Sequence, residues 1–134
     1  EEGLKSIVTT APAETELAER VRKASRTGGI LTATPSLKGF YELARRARLY
    51  VGGDTGPTHL AAAARAPIVG IFGPTEWRRI GSPHPRDECV ERLDIDCRID
   101  CHRRQCANWI CLDIEVETVF RAAQKRLALG RQPL

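Results

Sequence analysis

The chain has 134 residues, 42% of them hydrophobic, which is enough for one domain with a core of its own. No run approaches the roughly 18 apolar residues of a transmembrane helix, and the acidic start EEGLKSIVTT does not resemble a signal peptide. The net charge is only +4 and 5% of the residues are aromatic, which disfavours a nucleic-acid-binding surface. Because the chain contains no Met, not even at its start, we expect a fragment or an excised domain.

Short strands and amphipathic helices alternate over the first 73 residues. Strands are predicted at 6–10, 30–34, 49–53 and 67–72, the first of them buried. Between them we predict a helix that opens at Pro12, one capped by Ser36, and a short one at 58–65. The apolar stripes of the first two helices are Leu17, Ala18, Val21 and Ala24, and Leu37, Phe40, Leu43, Ala44 and Ala47.

The alternation stops after Gly73. Residues 74–112 show little periodicity and are predicted to be irregular, and a last helix is predicted at about 114–129, capped by Asp113. The buried stripe of that helix is predicted to be Val116, Val119, Phe120, Ala123 and Leu127. This pattern predicts one α/β domain over residues 1–134, with a Rossmann-like parallel sheet and helices on both faces.

Six polar or turn-forming residues, DTGPTH at 54–59, separate the third strand from the helix that follows it. Ligands of open parallel sheets bind beyond the carboxyl ends of strands, and the first N–H groups of a helix favour an anion such as phosphate. Gly56 permits close approach, Thr55 and Thr58 offer hydroxyl donors, and His59 can donate or carry charge. Asp54 suits sugar hydroxyls better than phosphate. The alternative, a helix cap combined with a turn, remains open.

Three residues after the fourth strand are secondary candidates for the same site. Thr75, Glu76 and Trp77 are predicted to lie at the sheet edge that carries Asp54. Trp77 and Trp109 could each pack under a loop or face a cleft, and the sequence does not decide between these positions. His84 is interpreted as a loop histidine rather than a ligand.

Four cysteines lie within 15 positions, with spacing C-x3-C-x4-C-x4-C, and Cys89 stands apart. The four are Cys97, Cys101, Cys106 and Cys111. A structural zinc site is one interpretation, with His102 as an alternative ligand, although zinc sites usually show C-x2-C pairs. An iron–sulfur cluster, disulfides and unligated thiols also remain open.

Arginines occur in small groups at 45–48, 78–79 and 103–104. One interpretation is ordinary solvated surface. The other is a surface that faces a phosphorylated ligand or an anionic membrane.

The segment that contains DTGPTH resembles glycosyltransferase family 9, the ADP-heptose:lipopolysaccharide heptosyltransferases. That family carries D-(S/T)-G-x-x-H-L-(ST/A)-A-A, then a strand and an F/Y-G-x-T turn, which match DTGPTHLAAA at 54–63 and FGPT at 72–75. Weaker similarity extends upstream through TAPAETELAERV and TPSLKGFYELARRARLYVGGD, so the resemblance covers most of the chain.

The resemblance implies the C-terminal, nucleotide-sugar-binding half of a GT-B enzyme that inverts the anomeric centre and requires no cofactor. It implies that backbone groups of Thr55 and Gly56 hold the pyrophosphate of an ADP-sugar. Thr58 and His59 would support the loop or the phosphate, and Asp54 would bind hydroxyls of the transferred sugar.

Two upstream positions also gain expected roles from the resemblance. Glu14 would lie near the ribose, and the segment around Thr34 and Pro35 would border the adenine. The family's general base is an acidic residue of the N-terminal domain, which this chain lacks, so no catalytic residue is expected here. The chain alone is expected to bind donor without transferring sugar.

The resemblance further implies a lipopolysaccharide core or another lipid-linked acceptor. The enzyme would be cytoplasmic, at the inner membrane, where the basic groups could contact anionic lipid. Two alternatives are kept: a nucleotide-sugar epimerase with a GT-B fold, which UDP preference would reveal, and a non-catalytic, zinc-stabilised interaction module, which metal content would reveal.

Overall fold

The computed structural model describes residues 3–98, 101 and 105–130. The chain divides into two compact units, Glu1–Phe40 and Tyr41–Leu134. Every strand pair in the described ranges is parallel, as predicted for this α/β chain, and the strands form a two-stranded and a three-stranded sheet. In the same ranges, no helix combines the length and the apolar character needed to cross a membrane.

The first unit holds a pair of parallel strands and a helix between them. Strand β1 spans Ser6–Thr9, helix α1 Thr15–Ala24 and strand β2 Ile30–Ala33. Ser6 lies opposite Ile30 in the register. A 3-10 turn at Pro12–Glu14 precedes α1, so Pro12 opens the helical segment as predicted.

The apolar residues of the first unit are more exposed than the sequence predicts. Ala18 is buried, but Leu17 is 53% and Val21 42% exposed. The predicted burial of the first strand is also wrong, because Ile7 is 46% exposed. Two strands and one helix enclose only a small core, so most side chains of this unit keep one face in solvent.

Helix α2, Leu37–Arg46, begins with the predicted cap, since Ser36 Oγ accepts the Gly39 N–H at 3.2 Å. Leu37 was predicted to belong to the buried stripe but is 79% exposed. Leu37 is the first residue of α2, where a side chain tilts beyond the end of the helix, whereas the stripe members Phe40 and Ala44 further along are buried.

The second unit is built on three parallel strands in the order β3-β4-β5. They are β3 at Tyr50–Gly53, β4 at Ile68–Phe72 and β5 at Glu88–Glu91. The central strand carries the core, since Ile68, Val69 and Phe72 are fully buried. Helix α3, Gly56–Ala63, connects β3 to β4, and its small Ala61 is also fully buried.

The region 74–112 is less irregular than predicted. Helix α4, Trp77–Ile80, and strand β5 lie within it, together with 3-10 turns at Asp96–Arg98 and Ile110–Leu112. Strand β5 has the sequence ECVE, which lacks a β-branched run. Pairing with β4, rather than local propensity, therefore accounts for this strand.

The terminal helix α5 spans Val116–Ala128, and its N-cap is Glu115 instead of the predicted Asp113. Its predicted buried stripe is partly wrong, because Val116 is 83% and Phe120 50% exposed. The most buried residue is Arg126, at 2%. Its charge is matched by a carboxylate far away in the sequence, which a helical periodicity cannot reveal.

Candidate functional site

The DTGPTH segment joins the carboxyl end of β3 to the first turn of α3, as predicted. Thr55 is the N-cap residue, with extended backbone (φ −144°, ψ 163°). Its carbonyl accepts the N–H groups of Thr58 at 3.0 Å and His59 at 3.4 Å, but its side chain makes no capping hydrogen bond. The Thr55 hydroxyl is therefore not used to cap the helix, and the helix N-terminus offers N–H groups to an anion.

Gly56, the first residue of α3, faces open space. A Cβ built on Gly56 would meet no heavy atom within 4 Å. The position is therefore not reserved for glycine by packing in this unit. Open space beside the backbone is what a phosphate group would need in order to reach the helix N-terminus.

Thr58 is turned inwards. It is 2% exposed, and its Oγ1 donates a hydrogen bond to the carbonyl of Gly53. Its Oγ1 also lies 3.2 Å from Tyr50 Oη. Of the two roles that the family resemblance implies for Thr58, these contacts favour support of the loop over contact with a phosphate.

Asp54 and His59 form a polar pair beside the helix N-terminus. His59 Nε2 lies 3.3 Å from Asp54 Oδ1, and the side chains are 50% and 22% exposed respectively. One carboxylate oxygen of Asp54 thus contacts the imidazole, and the other can accept hydrogen bonds from hydroxyl groups. Because Nε2–H donates to the carboxylate, the neutral imidazole leaves Nδ1 as an acceptor, so the pair can present hydrogen-bond acceptors to the hydroxyls of a polyhydroxyl ligand.

The secondary candidates follow β4, the neighbour of β3. Glu76 is the exposed N-cap of α4, and Thr75 is half-buried. The Trp77 side chain packs on the sheet: its ring meets Phe72 edge-on at 5.1 Å and fills the space beside Gly70. Of the two positions that the sequence left open for Trp77, under a loop or facing a cleft, the structure shows the packed one. The side chain of Trp109 is 46% exposed.

Glu14 and Pro35 belong to the first unit. The Glu14 carboxylate accepts the Ala11 N–H at 3.2 Å, which closes the 3-10 turn, and Pro35 lies between β2 and α2. Their roles toward ribose and adenine stay predictions.

The described part of the cysteine segment shows no group of metal ligands. No disulfide joins the five cysteines, all of which lie in the described ranges, and Cys97 is exposed whereas Cys111 is buried. Across residues 3–98, 101 and 105–130, no three His, Cys, Asp or Glu side chains are grouped so that they could hold a metal ion. His102 and the arginines at 103–104 lie outside the described residues. Cys106 instead contacts the backbone of Asn108, at 3.2 Å from its carbonyl oxygen.

The basic groups are partly neutralised within the chain. Glu42 pairs with Arg45 at 3.1 Å and Arg46 at 2.6 Å, and the hydrogen bond from Arg45 lowers the pKa of Glu42. Arg78 and Arg79 lie exposed on α4.

Two residues that shape this site, Tyr50 and Gly52, were not predicted from the sequence. The Tyr50 hydroxyl contacts Thr58, and the Tyr50 ring occupies the space beside Gly52. A tyrosine two residues before a glycine on a strand could have been noticed, because alternate residues share one face of a sheet.

The model of the family described as glycosyltransferase family 9 (heptosyltransferase) matches residues 1–110. No curated protein matches the chain. Among solved structures, a glycosyl transferase family 9 protein from Veillonella parvula DSM 2008 is similar, with a TM-score of 0.73 and 20% sequence identity. The match covers 95% of this chain and 37% of that one, so it shows the fold and spans little more than a third of that protein's length.

Proposed function

The chain belongs to glycosyltransferase family 9, and we propose that it binds the nucleotide-sugar donor of an inverting, metal-independent glycosyltransferase. The observation that carries this proposal is the Asp54–His59 loop at the N-terminus of α3, with open space beside Gly56. We propose ADP-heptose as the donor, by analogy with the heptosyltransferases that the family description names.

The loop offers suitable groups to each part of such a donor. Backbone N–H groups of Thr55 and Gly56 would hold the diphosphate, where the helix dipole favours negative charge. Asp54, with His59 beside it, would bind hydroxyls of the sugar. Fixed N–H dipoles also stabilise the negative charge that develops on a departing diphosphate, which is a form of electrostatic catalysis that needs no metal.

The remaining machinery would lie outside this chain. We propose, from the family resemblance, that the general base and the acceptor site belong to the N-terminal domain of a longer enzyme. We therefore expect the chain by itself to bind donor without transferring sugar. The acceptor we propose is lipopolysaccharide core or another lipid-linked sugar, which would place the enzyme at the cytoplasmic face of the inner membrane.

A membrane contact would use the exposed arginines of α4. Arg78 and Arg79 lie in the last turn of that short helix. Co-sedimentation with vesicles tests this idea: binding should increase with anionic lipid and fall when both arginines are changed to Glu. Equal binding to neutral and anionic vesicles would remove this part of the proposal.

Nucleotide selectivity tests the proposal against its main alternative. Calorimetric titration with ADP and with UDP, in parallel, should show tighter binding of ADP. A preference for UDP would instead favour the epimerase interpretation. The zinc-stabilised interaction module has no support from the described cysteines.

A further inference from the structure

Tyr50 begins β3, and its ring lies against the strand beside Gly52. A Cβ on Gly52 would lie 2.7 Å from Tyr50 Cζ, so the missing side chain of Gly52 makes room for the ring. In this position Tyr50 Oη comes within 3.2 Å of Thr58 Oγ1, in the first turn of α3. Gly52 therefore permits a contact that joins the start of the strand to the start of the helix.

The direction of the hydrogen bonds in this cluster follows from proton counting. A threonine hydroxyl has one proton, and Thr58 donates it to the carbonyl of Gly53. Thr58 Oγ1 can then only accept from Tyr50, whose O–H is the donor. The result is a directed chain of hydrogen bonds from Tyr50 through Thr58 to Gly53, and successive bonds in such a chain polarise one another.

These hydrogen bonds close the loop that carries the proposed diphosphate site. Gly53 is the last residue of β3, and Thr58 lies in the first turn of α3, so their bond spans the four residues 54–57. Thr55 makes no side-chain capping bond, whereas the Thr58 side chain ties this turn directly to the last residue of the strand. At 2% exposure, Thr58 itself has almost no surface to offer a ligand.

We propose that Tyr50 is a positioning residue for the donor diphosphate and that it acts through Thr58. The hydroxyls of Tyr50 and Thr58 fix the position of the first turn of α3 relative to Gly53. They thereby orient the N–H groups of Thr55 and Gly56 before the ligand binds. Groups oriented in advance lose less conformational freedom on binding. This inference rests on the proposed function, since it assigns the oriented groups to a nucleoside diphosphate.

The experiment compares hydroxyl deletions in otherwise unchanged side chains. Tyr50→Phe keeps the ring, Thr58→Val keeps the shape, and Thr58→Ser restores the hydroxyl. Tyr41→Phe is the matched control, because Tyr41 is the only other tyrosine and lies in α2. Calorimetry with ADP and AMP gives the dissociation constants, and amide hydrogen exchange of the ligand-free variants follows the Thr58 and His59 amides, whose hydrogen bonds to the Thr55 carbonyl form the first turn of α3.

We expect the Kd for ADP to rise roughly three- to tenfold in Tyr50→Phe, as for the loss of one hydrogen bond, and further in Thr58→Val. Thr58→Ser and Tyr41→Phe should resemble wild type. AMP, which lacks the second phosphate, should lose less affinity than ADP, whereas a merely structural role would weaken both equally. Equal losses for the two nucleotides, or wild-type ADP affinity in Tyr50→Phe, would overturn the inference.

The exchange measurement separates this inference from the function on which it rests. If the wild-type chain binds neither ADP nor AMP, the proposed donor site is refuted, whatever the role of Tyr50. Faster exchange at Thr58 and His59 in Tyr50→Phe, without a change in Tyr41→Phe, would still support loop positioning by Tyr50. Unchanged exchange at both amides would refute it.

Discussion

Asp87 and Arg126 form an ion pair in the interior of the second unit, with Arg126 Nε 2.8 Å from Asp87 Oδ1 and each side chain 2% exposed. The pair fixes α5 to the sheet, because Asp87 also accepts the N–H of Ile68, the first residue of β4, at 2.9 Å. Ser82 Oγ donates to the second carboxylate oxygen at 2.5 Å. Three segments distant in the sequence, which contain Ile68, Ser82 with Asp87, and Arg126, are thus joined at one carboxylate.

Replacing Arg126 with Met should destabilise the protein strongly, because it leaves the Asp87 carboxylate buried without its cation. Removing one partner of a buried pair costs about 3–5 kcal/mol. Urea denaturation measures the free energy of unfolding. The matched control is Arg121→Met on the same helix, whose pair with Glu117 is exposed and is worth no more than about 0.5 kcal/mol. A similar loss in both variants would contradict this account of α5.

Gly52→Ala should reproduce the effect of losing the Tyr50 hydroxyl. The added methyl group would displace the tyrosine ring and so separate Tyr50 Oη from Thr58. We expect ADP affinity to fall by a factor similar to that in Tyr50→Phe, roughly three- to tenfold.

A double variant shows whether Gly52 acts through the tyrosine. In a Tyr50→Ala background, Gly52→Ala should have no further effect on the Kd for ADP, because the ring it would displace is gone. Additive losses would mean that Gly52 affects the loop by another route.

Asp54→Ala should separate sugar binding from nucleotide binding. The carboxylate is proposed to contact sugar hydroxyls, so the affinity for ADP should change little. The affinity for an ADP-sugar should fall by roughly fivefold or more, as for a lost hydrogen bond. Asp113→Ala, which removes a different exposed carboxylate of the second unit, is the control in the same titrations. Equal weakening of ADP and ADP-sugar by Asp54→Ala would show that Asp54 does not act on the sugar.

The Asp94 carboxyl should titrate well below its usual range. The side-chain hydrogen bond from Arg92 lowers its pKa from 3.8 to about 2. Because the folded-state pKa is depressed, the stabilisation is present above pH 3.8 and is lost as the pH falls through about 2. NMR titration of the carboxyl should show this pKa in wild type and a value nearer 3.8 in Arg92→Ala. An unchanged pKa in that variant would exclude Arg92 as the cause.

The sequence predicted the elements whose signal is local. The four strands before Gly73, the Ser36 cap and the position of DTGPTH between β3 and α3 all follow from patterns within a few residues, and the structure confirms them. The family assignment is likewise confirmed by the family comparison.

What the sequence could not reveal depends on distant partners. Strand β5 forms because β4 offers a free edge, although Glu88 and Glu91 suggest a loop. Arg126 is buried because Asp87, 39 positions earlier, neutralises it. The contact between Tyr50 and Thr58 likewise depends on the space that Gly52 leaves for the tyrosine ring.

The most direct test of the proposed donor site is calorimetric titration of ADP into wild type and Gly56→Val. A side chain at Gly56 meets open space in the protein, so the variant should fold, but it would occupy the volume proposed for the diphosphate. Gly29→Val is the matched control, since a Cβ there also meets nothing within 4 Å and Gly29 is not among the proposed donor-binding residues. The account predicts ADP binding in wild type and Gly29→Val and its loss in a folded Gly56→Val. Undiminished binding in Gly56→Val would contradict the assignment of the diphosphate to the N-terminus of α3.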